Sequence, residues 1–289
     1  MTTPATPSAT PPATPATSLH QQLRALACEL ACNAGALVFE GRRLGLDSVD
    51  TKSTPTDMVT EFDKAAEAMI VAGLRATRPD DAIVGEEGTS IAGTSGISWL
   101  IDPIDGTTNF YYALPGYAVS IAAADPDGAV VGAVYVPATN ELFSAARGLG
   151  ATLNDQSIGC SRTDALSHAL VATGFSYQPA IRRQQIARLQ HMIGEVRDIR
   201  RLGAASVDLC YAAAGRVDAY FEENLGPWDF AAGELIAREA GCLSGDFSGG
   251  PVRTAQVLVA NPKLFEPLRA LINAASSARA AADRDDAAG

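Results

Sequence analysis

The chain lacks most of the common catalytic signatures, and each absence narrows the field. It has no Gly-x4-Gly-Lys-Ser/Thr loop, which removes the P-loop NTPases. It has no Gly-x-Ser-x-Gly elbow, which removes the usual serine hydrolases. Its three histidines (His20, His168, His191) fall in or beside predicted helices, away from the acidic stretches described below, so a histidine nucleophile is set aside. The five cysteines (Cys28, Cys32, Cys160, Cys210, Cys242) are odd in number and show no metal-ligand spacing. They read as reduced thiols of a cytoplasmic protein, and no cysteine is expected to precede an arginine at the spacing of a cysteine-dependent phosphatase loop, so a cysteine nucleophile is set aside. No apolar run approaches the ~18 residues of a membrane span. Positive charge is scarce: 22 Lys and Arg against 33 Asp and Glu leave a net charge of −11. That balance repels a phosphate backbone, so neither nucleic acid nor membrane is the expected partner.

What is present suits a sizeable core, with 289 residues of which 47% are hydrophobic. Residues 1–17 are almost all Thr, Pro, Ala and Ser, which predicts a disordered tail that is not a secretory signal. A single catalytic domain is expected over 18–273, followed by a second tail or frayed helix end over 274–289. Ser18 and Gln21 form a capping box, and Leu19, Leu23, Leu26, Leu30, Leu37 and Val38 then recur at helical spacing. Thr60 is the expected cap of a second helix whose buried face is Phe62, Ala66, Met69, Ile70 and Gly73. Short strands are expected at Ala82–Val84, Ser98–Ile101, Val217–Phe221 and Val257–Ala260. A hairpin is expected around Pro126-Asp127-Gly128, and helices at Ile181–Glu195, Val207–Ala214 and Asp229–Ala240. Strands and helices interleave without regular βαβ spacing. The expected class is therefore α/β (or α+β) with layered sheets and helices rather than a Rossmann fold.

Two acidic stretches carry the chemistry. The first is Trp99-Leu-Ile-Asp102-Pro-Ile-Asp105-Gly106-Thr107-Thr108-Asn109-Phe110, and the second is Trp228-Asp229-Phe-Ala-Ala-Gly233. Carboxylates at a strand end suit a hard divalent cation, and backbone N–H groups at a helix start suit a phosphate. Together they point to metal-assisted phosphoryl chemistry. Taken alone, Asp-Pro-x-Asp-Gly is a common turn and Asp229 an ordinary helix cap. Glu86-Glu87 alone reads as a solvated loop, and Lys52 and Asp57 as loop charges. All four segments in this order, each at an element end, are poorly explained by chance.

With these residues the chain resembles the inositol monophosphatase family of the lithium-sensitive, metal-dependent phosphatase superfamily. The likeness is carried by Lys52–Asp63, Gly85-Glu86-Glu87, Trp99–Phe110 and Trp228–Gly241, with support from Arg200–Ala205 and Gly215–Tyr220. It implies an αβαβα layered sandwich of the inositol monophosphatase/fructose-1,6-bisphosphatase type, a homodimer, and Mg2+ as cofactor. By that resemblance Glu86, Asp102 and the Ile104 carbonyl would hold one Mg2+, and Asp102, Asp105 and Asp229 a second. Glu87 and Asp63 would lie near a third, weaker ion. Asp63 and Thr107 would orient the attacking water, and the N–H groups of Gly106 and Thr107 would hold phosphate oxygens. Lys52 would reach the phosphate from a mobile loop. The Ala205 N–H, Glu222 and Asp105 would meet substrate hydroxyls, with Glu223 left as a solvated strand-end charge. Ala204 departs from the Ser or Thr that the family usually places there.

The implied activity is hydrolysis of myo-inositol 1-phosphate. Phosphatases of fructose 1,6-bisphosphate, histidinol phosphate or 3'-phosphoadenosine phosphates share the same chemistry. No base-stacking pocket is evident in the motifs. A non-catalytic binding protein, like relatives that partner the transcription machinery, is the reading from a different class. A complete metal set disfavours it.

Overall fold

The computed structural model describes residues 15–45, 49–51 and 58–288. Among them lie seven α-helices: α1 (Pro15–Leu44), α2 (Glu61–Thr77), α3 (Thr107–Tyr111), α4 (Pro179–Met192), α5 (Ala205–Ala213), α6 (Pro227–Glu239) and α7 (Phe265–Ala288). An eight-stranded sheet runs in the spatial order Gln156–Ser157, Ala151–Leu153, Glu141–Ala146, Gly128–Val136, Ala118–Asp125, Ser98–Asp105, Ala82–Gly85 and Ser90–Ile91. A five-stranded sheet runs Asp198–Arg200, Leu170–Thr173, Ala219–Glu222, Val257–Ala260 and Leu243–Gly245.

The layers follow from which faces are apolar. Leu23, Leu30 and Val38 of α1 and Ile70 and Leu74 of α2 pack on one face of the large sheet against Trp99, Ile101, Val119 and Ile121. The opposite face of that sheet receives α6, with α5 beside it, through Leu209, Ala232, Leu235 and Ile236. The same two helices lie against the small sheet, whose far face is closed by Met192 of α4 and Leu268 and Ile272 of α7. The result is the expected αβαβα sandwich. It is no Rossmann fold, because most strand pairs are antiparallel. Among the described residues, parallel pairing is confined to Ala82–Gly85 with Ser98–Asp105, and Leu170–Thr173 with its two neighbours.

Several local expectations change. Helix α1 begins at Pro15, so Ser18 lies inside it and is not its cap. At the other end α7 continues to Ala288 as helix, through much of the stretch expected to be a tail. Thr60 does cap α2, its hydroxyl accepting from the Phe62 N–H at 3.2 Å while Asp63 reaches back to the Thr60 N–H at 2.8 Å. The buried face of α2 is Asp63, Ala66, Glu67, Ile70 and Leu74, and Met69 is exposed. Two acidic residues thus occupy positions that an apolar pattern would assign to the core. Residues 49–51 and 58–60 pair as an antiparallel hairpin. Lys52 and Asp57 lie outside the described residues, as does the segment 1–14.

Candidate active site

The strand Ser98–Asp105 and its bulge create the site. In a regular strand, residues three apart point to opposite faces. Here Asp102 pairs with Ser120 and Asp105 with Ala118, so three steps on one strand match two on its neighbour. The bulge absorbs the extra residue and brings both carboxylates to one side. Pro103 suits such a break because it has no N–H to offer the ladder. The chain then turns through Gly106, whose φ of 87° is left-handed, into α3. That turn is packed closely: a Cβ at position 106 would come within 2.9 Å of the Gly116 carbonyl and 3.0 Å of the Ala204 methyl.

Other elements converge on this turn. Glu86 follows the parallel strand Ala82–Gly85, its N–H donating to the Ile101 carbonyl at 3.0 Å. Asp229 occupies the first turn of α6 behind Pro227 and accepts the Gly226 N–H at 2.8 Å. Asp63 is fully buried, and its Oδ1 lies 3.4 Å from the Thr107 hydroxyl, which also lies 3.0 Å from the Ile104 carbonyl. Glu86, Asp102, Ile104, Asp105, Gly106, Thr107, Ala205, Glu222 and Asp229 all line one cleft. Glu87 sits just outside that lining, on the turn that carries Glu86.

The carboxylates repel one another and are short of water. Burial first, then Glu86, Asp105 and Asp229, push the Asp102 carboxyl well above the usual range. Burial likewise raises Asp229, helped by Asp105 and Glu86 and opposed by the Gly226 N–H. Asp105 is raised by burial to about 6, moderated by the Ser206 hydroxyl and N–H, which it accepts at 2.5 and 2.6 Å. Its other oxygen accepts the Ala205 N–H at 3.2 Å, so this N–H, expected to meet substrate, is engaged by Asp105. Among the described residues no three acidic, imidazole or thiol groups yet converge as a finished metal cage. The donor set still fits a hard cation: every group is oxygen, and a cation would relieve the repulsion that raises these pKa values.

Glu222 lies at the end of the strand Ala219–Glu222 and accepts the Tyr220 hydroxyl at 2.6 Å. Burial raises its carboxyl to about 7. Glu223 is not a solvated charge. It takes both ends of the Arg188 guanidinium, at 2.6 and 3.1 Å, in a largely buried pair.

The chain matches the inositol monophosphatase family over residues 19–280. It is 44% identical over 259 residues to an inositol-1-monophosphatase of Mycobacterium leprae, covering 83% of this chain and 89% of that protein. It is 40% identical over 260 residues to the Nus factor SuhB of Escherichia coli, covering 87% and 96%. Among solved structures, the extragenic suppressor protein suhB of Bartonella henselae superposes with a TM-score of 0.83 at 35% identity, covering 87% of this chain and 98% of that one. An IMPase of Thermotoga maritima superposes with a TM-score of 0.81 at 32% identity, covering 89% and 98%. The chain belongs to the inositol monophosphatase family. It is thereby a phosphoric monoester hydrolase of a generally metal-dependent family.

Family membership also disposes of a coincidence. Contrary to the expectation that no cysteine precedes an arginine at the spacing of a cysteine-dependent phosphatase loop, Cys210 and Arg216 stand at Cys-x5-Arg. Cys210 lies buried inside α5, and burial pushes its thiol well up. Arg216 stacks over Tyr211 and pairs with Glu141. No phosphate cradle forms there.

Some of the cleft carried no sequence signal. Asn109 donates to the Gly116 carbonyl at 2.5 Å and the Leu202 carbonyl at 2.8 Å, tying α3 to the segment before α5. Its place inside the acidic motif was the available hint. Phe175, Tyr177, Arg201 and Leu225 also line the cleft. Phe175, Tyr177 and Leu225 come from segments without a recognisable pattern, and Arg201 from a segment that carried the resemblance but gave it no role.

Proposed function

We propose that the protein is a Mg2+-dependent phosphomonoesterase that hydrolyses myo-inositol 1-phosphate to inositol and phosphate. The observation that carries this reading is the cluster of mutually repelling carboxylates beside the Gly106 turn, Asp102 and Asp105 buried and Asp229 and Glu86 partly exposed at the cleft. An anionic substrate cannot enter such a cluster without cations. Glu86, Asp102, the Ile104 carbonyl, Asp105 and Asp229 would hold two Mg2+ ions, and Glu87 with Asp63 would border a third. When bound, these ions supply charge neutralisation and a lowered pKa for water. The chain supplies the rest. Asp63 and Thr107 orient the water, and the N–H groups of Gly106 and Thr107 hold phosphate oxygens. Lys52 would approach the phosphate from its loop. Glu222, Asp105 and the Ala205 N–H would meet substrate hydroxyls. Positioning and charge provide most of the catalysis for such a transfer.

Phe175 and Tyr177 at the cleft support a second reading, a nucleotide phosphate whose base rests on an aromatic ring. A phosphate-release panel separates the two, using inositol 1-phosphate, fructose 1,6-bisphosphate, histidinol phosphate and 3'-phosphoadenosine 5'-phosphate, with and without EDTA. Inositol 1-phosphate should give the highest kcat/KM. A nucleotide preference would replace the substrate, and full turnover in EDTA would remove the metal. We further place the catalytic unit at 18–273 and the protein in the cytoplasm as a lithium-sensitive homodimer. Light scattering and LiCl inhibition check the last two points. The Nus factor relatives also raise a regulatory binding role beside the hydrolase activity.

A further inference from the structure

We propose that Glu67 is a positioning residue that fixes the Glu86-Glu87 turn in the shape cation binding requires. The inference rests on the metal reading of Glu86 given above. Glu67 is on α2, only 4% exposed, on a helix face otherwise built from Ala66, Ile70 and Leu74. Its side chain crosses to the segment after the strand Ala82–Gly85. Oε2 accepts the Glu87 N–H at 2.8 Å, and Oε1 accepts both the Thr89 N–H at 3.1 Å and the Thr89 hydroxyl at 2.6 Å.

Three donors from one turn therefore close on a single carboxylate, and the Glu87 N–H belongs to the peptide that leaves Glu86. The contact is built in from the other side as well. A Cβ at Gly85 would overlap the Glu67 carboxylate, so the strand end gives it room. A buried carboxylate is destabilising unless its oxygens are bonded. An apolar residue would fill this place on α2 at no such cost. What the carboxylate adds is two acceptor oxygens facing donors on both sides of the turn. Glutamine cannot match that, because its NH2 would face an N–H.

The consequence falls on Glu86, whose own N–H is tied to Ile101 on the motif strand. With Glu67 holding the other side, the turn is pinned at both of its ends, and the direction of the Glu86 side chain is set before any cation arrives. Partners of this outer kind typically change metal affinity by about 10–100-fold when lost.

The test uses the full chain stripped of metal by EDTA and dialysed, titrated with Mg2+ by calorimetry and with Mn2+ by paramagnetic resonance. Glu67→Gln should weaken binding about 10-fold or more, while kcat at saturating Mg2+ falls far less than in Asp102→Asn. Thr89→Val removes only the hydroxyl and should shift affinity in the same direction by a smaller factor. Asp81→Asn serves as a control for general destabilisation, and its metal affinity should match the parent. Parental affinity in Glu67→Gln would overturn the proposal, as would lost activity with affinity unchanged. If Glu67→Gln does not fold, Thr89→Val decides, and parental affinity there overturns it. If the parent itself binds no divalent cation, the metal reading falls and takes this proposal with it. A parent that binds beside variants that bind equally well sinks Glu67 alone.

Discussion

At the start of the strand Ser98–Asp105, Asp81 lies 1% exposed against Trp99; at its end, Asp102 and Asp105 lie 2% and 8% exposed. A buried carboxylate thus lies beside each end of this strand, Asp81 from the turn before the neighbouring strand and Asp102 and Asp105 from the strand itself, in opposite electrostatic conditions. Asp81 accepts the Arg78 guanidinium at 2.8 and 2.9 Å, the Ser95 hydroxyl at 2.6 Å and the Trp99 indole N–H at 2.9 Å. Burial alone would raise its pKa, but these donors together hold it below the ordinary carboxylate value. At the far end burial and neighbouring carboxylates drive Asp102 up, and no cationic side chain is among the causes that offset it. The chain supplies its own counter-charge where a carboxylate serves stability. Among the described residues it supplies none to Asp102.

The largest expected effect breaks the functional end. Asp102→Asn keeps the side chain's shape and removes its charge. It should lower kcat by several orders of magnitude, while the melting temperature of the EDTA-treated protein stays level or rises because repulsion is relieved. Near-parental kcat across a Mg2+ titration would take Asp102 out of the site. Asp105→Asn should cost comparable activity but gain less stability, since Asp105 already accepts from Ser206 and Ala205.

Next comes the stability end. Losing one partner of a fully buried pair costs roughly 3–5 kcal/mol. The Arg78 side chain is 29% exposed, so Asp81→Asn should cost nearer ~2 kcal/mol in urea unfolding at pH 7. Activity below the melting transition should be spared. The folded pKa of Asp81 is depressed, so its contribution is present above its unfolded value of about 3.9 and fades as pH falls through the lower folded value. The gap between parent and variant should therefore close below about pH 4. A gap that is constant with pH would mean the charge is not what matters.

Glu222 stands between the two cases, with a single hydroxyl donor in Tyr220 and a pKa raised to about 7. Glu222→Gln should cost about 1.5–3 kcal/mol in kcat/KM on a polyol phosphate. It should cost little on 4-nitrophenyl phosphate, which lacks the hydroxyls. Equal losses on both substrates would end its role as polyol reader. The smallest effect is Ser95→Ala, which removes one exposed donor from Asp81 and should cost about 1 kcal/mol of stability. No measurable change would leave Arg78 and Trp99 as sufficient partners for Asp81.

How legible all this was depended on range. The Thr60 cap, the hairpin at Pro126-Asp127 and the layered sheets follow from local residue types and periodicity. Asp102, Asp105 and Asp229 stood out only as a set, because each alone reads as an ordinary turn or helix cap. Edge strands such as Ser90–Ile91 and Gln156–Ser157 were not read, since two residues are too few to show an alternation. Glu67 was invisible for another reason. Its partners are 20 and 22 residues away, and a polar residue on a core face looks like a break in the pattern until those partners are known. Glu223 was misjudged likewise, its counter-charge Arg188 being 35 positions earlier.

The α5/α6 layer is shared by both sheets, and the cleft opens along it. Glu86, Asp102 and Asp105 come from the large sheet, while Glu222 comes from the small one. A ligand in the cleft is therefore a clasp across two differently cored halves. Its signature should be mechanical as well as chemical: amide exchange in the strand Ala219–Glu222 should slow together with that in Ser98–Asp105 when the cleft fills, although the two strands share no hydrogen bond.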